Sequence, residues 1–482
     1  MRARFAPVAV VPVALALLLH AGACRADLLS GMAALSKRDY AGALAEFQPA
    51  AQRGSAVAQV GLGYLYEHGF AVPQAYDDAH AWYRKAAQQG NGQAMARIAR
   101  LYTLGLGVQD NMIVAVDWFR KAAEAGDGEA LRGALLPPDM AEKDAAKVTA
   151  RLAGAQRYFA GKAAQGDITA QLDLGYMYMR GLARERDGSR GRPGLALEWL
   201  GKAAERGYAG AQVLLAYALD AGRVAGADPL KAQAWYEQAA NKGNAFAQYS
   251  LASLLATAGS GSGIDPATAR QRAVEGAVQW AARAAEQGLV PAQTLLASLL
   301  LEGSEADSAA ALVWLNRAAA EADEGALVRL GDECLSGRAL PRDYAAARDW
   351  YLKAIETADS AAAYARLGRM RENGLGMPAD SAEAFRLYAR AAQSRSPDVE
   401  PWVHARLADM YERGNGTQAD PAKAFHEYAM AAIGGDRSSM ERLVEAFENG
   451  QLGQEADAKK ALTWRERLAR AVQYDRSPQS GH

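Results

Sequence analysis

The chain has 482 residues, 54 lysines and arginines against 55 aspartates and glutamates, and only two cysteines, Cys24 and Cys334. A formal charge of −1 provides no basic footprint for nucleic acid. Two thiols make neither a disulfide framework nor a cysteine-rich metal site. Half of the residues are apolar and 23% are charged, which is the composition of a globular chain able to bury a core.

In chain order, residues 1–26 read first, as an address. Met1-Arg2-Ala3-Arg4 is a short basic region, Val8 to Leu19 is an apolar run, and Ala21-Gly22-Ala23 supplies small residues ahead of Cys24-Arg25-Ala26-Asp27. This is the layout of a secretory signal peptide, and the run is too short to span a bilayer. Two cleavage sites compete. One lies after Ala26 and releases a soluble chain. The other lies before Cys24 and attaches lipid to its thiol, making an outer-membrane lipoprotein. Either way the expected compartment is the periplasmic side of the envelope. Removal of residues 1–26 takes three arginines and leaves a formal charge of −4.

From residue 27 onward the chain repeats itself. Trp82-Tyr83-Arg84-Lys85-Ala86-Ala87 returns as Trp118-Phe119-Arg120-Lys121-Ala122-Ala123, and the anchor recurs at Trp199, Trp235, Trp280, Trp314, Trp350 and Trp464. Glu46, Leu387 and Glu427 fill the slot in weaker copies, and a slipped copy lies near Tyr158. Successive anchors are 34 to 45 residues apart. Each period carries an earlier half, as in Leu62-Gly63-x-x-Tyr66-x-x-Gly69 and Leu174-Gly175-x-x-Tyr178-x-x-Gly181. Apolar residues at i and i+4 with a small residue at i+1 describe a closely packed helix, and the glycine at i+7 a C-cap. Asp228-Pro229, Asp265-Pro266 and Asp420-Pro421 supply the N-cap and first position of the next helix. An alanine stands three residues before each Trp-type anchor, from Ala43 to Ala461, outside the slipped copy. The unit is therefore a helical hairpin that buries its apolar faces only by stacking on its neighbours. Residues 27–130 hold the first repeats. Residues 131–157, with Pro137-Pro138, read as an irregular joint, residues 158–470 as the main array, and residues 471–482 as a disordered tail.

The pattern Ala58-Gln59-x-x-Leu62-Gly63-x-x-Tyr66-x-x-Gly69, then Ala79-x-x-Trp82-Tyr83-x-Lys85-Ala86-Ala87-x-x-Gly90, resembles the Sel1-like repeat, a relative of the tetratricopeptide repeat. The resemblance covers roughly residues 27–470. It implies an all-α, right-handed α-solenoid of about eleven helical hairpins, and a scaffold that binds protein or peptide partners. The cysteine pairs of the disulfide-bridged secreted branch of that family are missing, so its penicillin-binding activity does not carry over.

No catalytic, cofactor-binding or metal-ligating set emerges. His68, His80, His404 and His426 occupy variable repeat slots without i, i+4 pairing. Cys334 fills a core slot held elsewhere by Tyr66, Tyr102 and Tyr178. The Gly-x-Gly sequences at 105–107, 374–376 and 414–416 lie between helices, where turn chemistry explains them. The Trp/Tyr stripe reads as core by its period. The expected activity is therefore non-enzymatic binding of an envelope protein or peptide. The alternative is an accessory role in exopolysaccharide, alginate-type or cell-wall assembly and export, and a cell-wall or β-lactam hydrolase ranks last. Partner discrimination is expected in the first helices, at pairs such as Tyr64 and Leu65, Tyr176 and Met177, Tyr217 and Ala218. Tyr64, Tyr176 and Tyr217, beside the insertion bearing Arg184, Arg186 and Arg190, form the expected docking region. The intact mass of the exported protein will distinguish a chain starting at Asp27 from one starting at acylated Cys24. A full-length, uncut chain recovered from the cytosol would overturn export.

Overall fold

A computed structural model of the chain describes residues 22–127, 130, 142–183, 193–220, 228–257, 266–302, 305–394 and 399–476. Among the described residues there are twenty-three helices and no strand. They fall into two compact units, Met1–Lys242 and Gly243–His482.

In the first unit, α1 (Gly22–Ser36) pairs with α2 (Tyr40–Gln52), α3 (Ala56–His68) with α4 (Tyr76–Gln88), and α5 (Gly92–Leu104) with α6 (Met112–Glu124). A long helix, α7 (Glu142–Ala164), follows and has no hairpin mate among the described helices. Then α8 (Ile168–Met179) pairs with α9 (Pro193–Glu205), and α10 (Ala209–Asp220) with α11 (Pro229–Asn241). The second unit begins with three hairpins. They are α12 (Ala245–Thr257) with α13 (Pro266–Glu286), α14 (Val290–Leu300) with α15 (Glu305–Ala320), and α16 (Glu324–Ser336) with α17 (Tyr344–Ala358). Three more complete it: α18 (Ala361–Asn373) with α19 (Ser381–Ala392), α20 (Pro401–Arg413) with α21 (Pro421–Ile433), and α22 (Arg437–Asn449) with α23 (Ala458–Arg476). The eleven pairs match the expected number of hairpins, and α7 is the odd helix.

Two boundaries differ from the sequence reading. Residues 142–157 of the expected irregular joint are helical, forming most of α7, and the slipped copy near Tyr158 lies on the same helix. Residues 471–476 of the expected tail continue α23. In both places helix-forming residues outlast the repeat motif, which marks packing rather than helicity. Residues 131–141 and 477–482 lie outside the described residues. So do residues 1–21, with the apolar run Val8–Leu19, and Asp265. No described helix is long and apolar enough to cross a membrane.

The caps follow the sequence. Asp228 accepts from the Lys231 N–H and Asp420 from the Lys423 N–H, each ahead of a first-turn proline. Gly69, Gly105, Gly337, Gly374, Gly414 and Gly450 close their helices at φ of +64 to +75°, a region that costs other residues strain. The second glycine of each Gly-x-Gly has a different task. A Cβ on Gly107 would lie 2.5 Å from the Tyr76 Cβ, and one on Gly416 would lie 2.1 Å from the Ser381 carbonyl oxygen. The turn therefore lies against the start of the preceding repeat's second helix, and only a missing side chain permits that.

Inside each hairpin the helices touch almost backbone to backbone. The alanine three residues before the anchor is 0% exposed from Ala43 to Ala424, and 2% at Ala461. Across the crossing, a Cβ on Gly63, Gly331 or Gly368 would come within 2.6, 2.4 and 2.8 Å of the ring of Tyr83, Tyr351 or Tyr388. Those tyrosines follow the anchor by one residue, and they, with Tyr176 and Tyr236, are the largest fully buried side chains. The anchor itself is not core. Trp82, Trp118, Trp199, Trp235, Trp280, Trp314, Trp350 and Trp464 are all half-buried. In seven of the eight, a Lys or Arg three residues on lies over the indole, as Lys85 does over Trp82 at 3.7 Å. Period alone had placed the whole Trp/Tyr stripe inside, but neighbouring helix positions point 100° apart, and the tyrosine wins the interior.

In several repeats a buried glutamine ties the first helix of a hairpin to the helix before it. The amides of Gln59, Gln171, Gln212 and Gln293 donate to the carbonyls of Ala51, Ala163, Ala204 and Ala285, at the end of the preceding helix. Their carbonyls need a donor in return. Gln89 and Gln287, seven residues after their anchors, donate to Gln59 and Gln248, and Lys242 in the same slot donates to Gln212. Glu321 fills that slot in one repeat, and the Gln293 Oε1 has no partner there; the Gln171 Oε1 has none either, because Arg206 in its slot donates to the Gly166 carbonyl. Burial holds the Glu321 carboxyl above the usual carboxylate range.

Two outcomes follow for stability. Gly331→Val should cost about 1–3 kcal/mol by overpacking against Tyr351, whereas Gly154→Ala, in open space on α7, should stabilise by about 1 kcal/mol. Denaturant midpoints will check both, and equal costs would refute the assigned crossing. Glu321→Gln supplies the missing donor and should add about 1 kcal/mol to stability at neutral pH; a lower melting temperature would rule out the ladder.

Candidate interaction surface

The first helix of each hairpin carries the repeat's variable positions, and the structure divides them. Leu65, Leu101, Met177, Ala218, Met370 and Met410 are each 0% exposed. They were expected to take part in discrimination, but they lie in the core, Leu65, Leu101 and Met410 among second-helix residues of the preceding hairpin. Only the residue before each reaches the surface: Tyr64, Arg100, Tyr217 and Asp409 are half-buried and Arg369 is exposed. Tyr176 is the exception. It is 1% exposed, and its hydroxyl donates to the Ala130 carbonyl at 2.8 Å. It is spent in the core, in a slot that stays open elsewhere. Arg184, Arg186 and Arg190 lie outside the described residues. Cys24 lies on the backbone of α1, which runs through both expected cleavage sites.

Tyr64 sits in an aromatic cluster, 4.2 Å from the His68 ring and 6.0 Å from Phe70, which stacks on Tyr40 at 4.0 Å. The Arg97 guanidinium lies 5.4 Å from the Tyr64 ring centre. Arg369, and Arg366 beside it, lie 5.9 Å from the Trp402 ring centre. This surface presents aromatic area and cations together in both units.

Beneath it runs a recurring relay that the sequence reading missed. The Tyr83 hydroxyl donates to Glu67 at 2.5 Å, Tyr351 to Asp332 at 2.7 Å, and Tyr388 and Tyr428 to Glu372 and Glu412 at 2.9 Å. Each carboxylate also faces an arginine from the next repeat: Arg97 at 3.7 Å, Arg366 at 3.3 Å, Arg406, and Arg442 at 2.5 Å. Burial, then the adjacent carboxylate, drives all four phenols well above their usual range, so they remain hydrogen-bond donors. The pattern was present as an arginine one residue before the repeat's Leu or Ile, and an acid five residues after it in three of the four. Its meaning needed the tyrosine's buried ring.

The histidines take structural places. His404 Nδ1 lies 2.7 Å from Glu427, and His80 packs edge-on to Tyr102 at 5.8 Å. Cys334 is 5% exposed, and burial pushes its thiol up, as suits a small core hydrophobe. No group of three His, Cys, Asp or Glu that could hold a metal occurs among the described residues.

The Sel1 repeat model matches ten segments: 56–91, 92–127, 168–208, 209–244, 245–289, 290–323, 325–356, 361–396, 404–436 and 438–471. Protein sel-1 homolog 2 of Rattus norvegicus is 38% identical over 120 residues, which are 24% of this chain and 17% of that protein. The Mus musculus protein of the same name is 42% identical over 89 residues, 18% and 13% of the two chains. The chain thus aligns with less than a fifth of the length of either curated relative. A protective antigen of uropathogenic Escherichia coli strains, with an SLR fold, is 25% identical over 96% of this chain and 94% of its own, at a TM-score of 0.45. A Sel1 repeat protein from Oxalobacter formigenes is 24% identical over 58% and 94%, at 0.36. With its matched repeats running from residue 56 to residue 471, each on a helical hairpin, this chain belongs to the Sel1 repeat family.

Proposed function

We propose that this protein is a non-enzymatic scaffold, exported to the periplasm, that holds an extended protein or peptide partner along the first helices of its hairpins. Helical-repeat solenoids act as protein-interaction scaffolds, and their stacked units present long surfaces rather than a pocket. The observation that supports this reading is the split within the variable pairs. One member is uniformly buried, while the other reaches the surface and changes chemistry, as Tyr64, Arg100, Tyr217, Arg369 and Asp409. Fixed packing beneath a changing surface suits a device selected for recognition, with aromatic and arginine anchors dominating affinity. Arg184, Arg186 and Arg190 add positive charge next to this surface in sequence, favouring an acidic partner.

Photo-crosslinking residues at positions 217 and 369 should give a discrete adduct in envelope extract. Positions 230 and 433, on second helices and 80% and 68% exposed, should give none. Adducts only from the latter pair would put docking on the other face. Charge reversal at Arg184, Arg186 and Arg190 together should weaken capture at low salt and leave the thermal melt unchanged; undiminished capture would remove the loop from the site.

A further inference from the structure

Arg120 breaks the rule of its repeat slot. Two residues after the anchor, Arg84, Glu237 and Leu352 are exposed, but the Arg120 side chain is 6% exposed. The cause is the joint. Here α6 packs on α8 and α10 as well as on α5. Gly210 of α10 lies so close to Glu124 that a Cβ would meet its carboxyl at 2.4 Å.

Three carboxylates converge on this one guanidinium. Nε donates to Asp173 Oδ1 of α8 at 2.6 Å, while Nη1 and Nη2 donate to Glu124 and Asp117 of α6 itself. Lys121 reaches Asp117 at 2.8 Å from the solvent side, with its own side chain 44% exposed. Asp173 is 3% exposed. The arrangement reverses the relays described above. Elsewhere an arginine occupies the slot before the repeat's Leu, whereas here that slot holds the acid and the preceding second helix supplies the arginine. A single buried cation cannot compensate three carboxylates, and in a site of low dielectric one of them gains most by taking up a proton.

We propose that this cluster is a pH-responsive clasp: protonation of Asp173 tightens α6 onto α8 at the joint in the array, and its ionisation loosens that contact. Asp173 is the member most removed from water and the one that belongs to the opposing helix, so its charge state bears directly on closure. Burial, opposed by Arg120 and reinforced by Asp117 and Glu124, raises its carboxyl to about 6. Among the other elements packed on α6, α7 directs Arg151 to Asp110, ahead of the other end of α6, and α10 presents Gly210. An acid raised in the closed joint binds its proton more tightly there than when hydrated. Closure is therefore favoured fully below the hydrated carboxyl's range, and the advantage is lost as pH rises past about 6.

Hydrogen exchange of the full chain, corrected for intrinsic rates, reads this directly. Protection of the α6 and α8 amides should fall about tenfold between pH 5 and 7.5, while α18 and α19 of the same molecule change less than about twofold. Asp173→Asn should flatten the dependence and keep the protection seen at low pH. Glu124→Gln, with one carboxylate fewer, should move the midpoint to more acid pH. A flat wild-type profile, a wild-type dependence persisting in Asp173→Asn, or an unmoved midpoint in Glu124→Gln would each overturn the clasp.

Discussion

Everything in this molecule rests on two helices meeting with almost nothing between them. A buried alanine three residues before the anchor and a glycine or alanine on the facing helix let the backbones approach. The residue after the anchor, aromatic in most repeats and Leu200 against Gly175, then fills the space beside the crossing. Tyr351 packed where a Gly331 Cβ would otherwise stand shows how little tolerance remains. One such crossing sets the angle of a hairpin, and a repeated crossing presents each hairpin to the next in the same way. The second glycine of the Gly-x-Gly turns extends the same logic, since its bare backbone rests on the preceding repeat.

Stacking then needs polar chemistry that survives burial. The glutamine ladder and the tyrosine–carboxylate–arginine relays provide it, because each group finds its partner in its own or the neighbouring hairpin rather than in water. Their irregularities are informative for the same reason. Glu321 in a donor slot leaves Gln293 half-satisfied, and Asp173 in an arginine slot appears where α6 gains helices on a face normally solvated. Arrays built by repetition record local changes of packing as local breaks in a polar rule.

The surface inherits its character from this interior. With one residue of each variable pair sealed in the core, recognition has single positions per hairpin to work with, spread along the array. Such spacing is what the proposed extended partner, contacted many times rather than held once, would use. The half-buried tryptophans, roofed by a cation three residues on, serve the second helices' outer side and leave the first helices free for that task.

Periodicity along the chain was enough to count the hairpins, mark their caps and place the tight crossings. These depend on residues within one repeat, and a side chain's size or backbone freedom is a local property. Cys334 as core and the Gly-x-Gly sequences as turns were legible for the same reason. The buried partner of each pair was not, because Trp82 and Tyr83 are equally apolar in sequence and only the neighbouring helix decides which faces it. Tyr176 looked like Tyr64 and Tyr217, yet it is buried, with its hydroxyl on the backbone at Ala130. The relays escaped notice because their members are some 30 residues apart. What the amino-acid order determined was the unit; which side chains that unit hides, pairs or leaves to solvent was decided by the hairpins stacked against it.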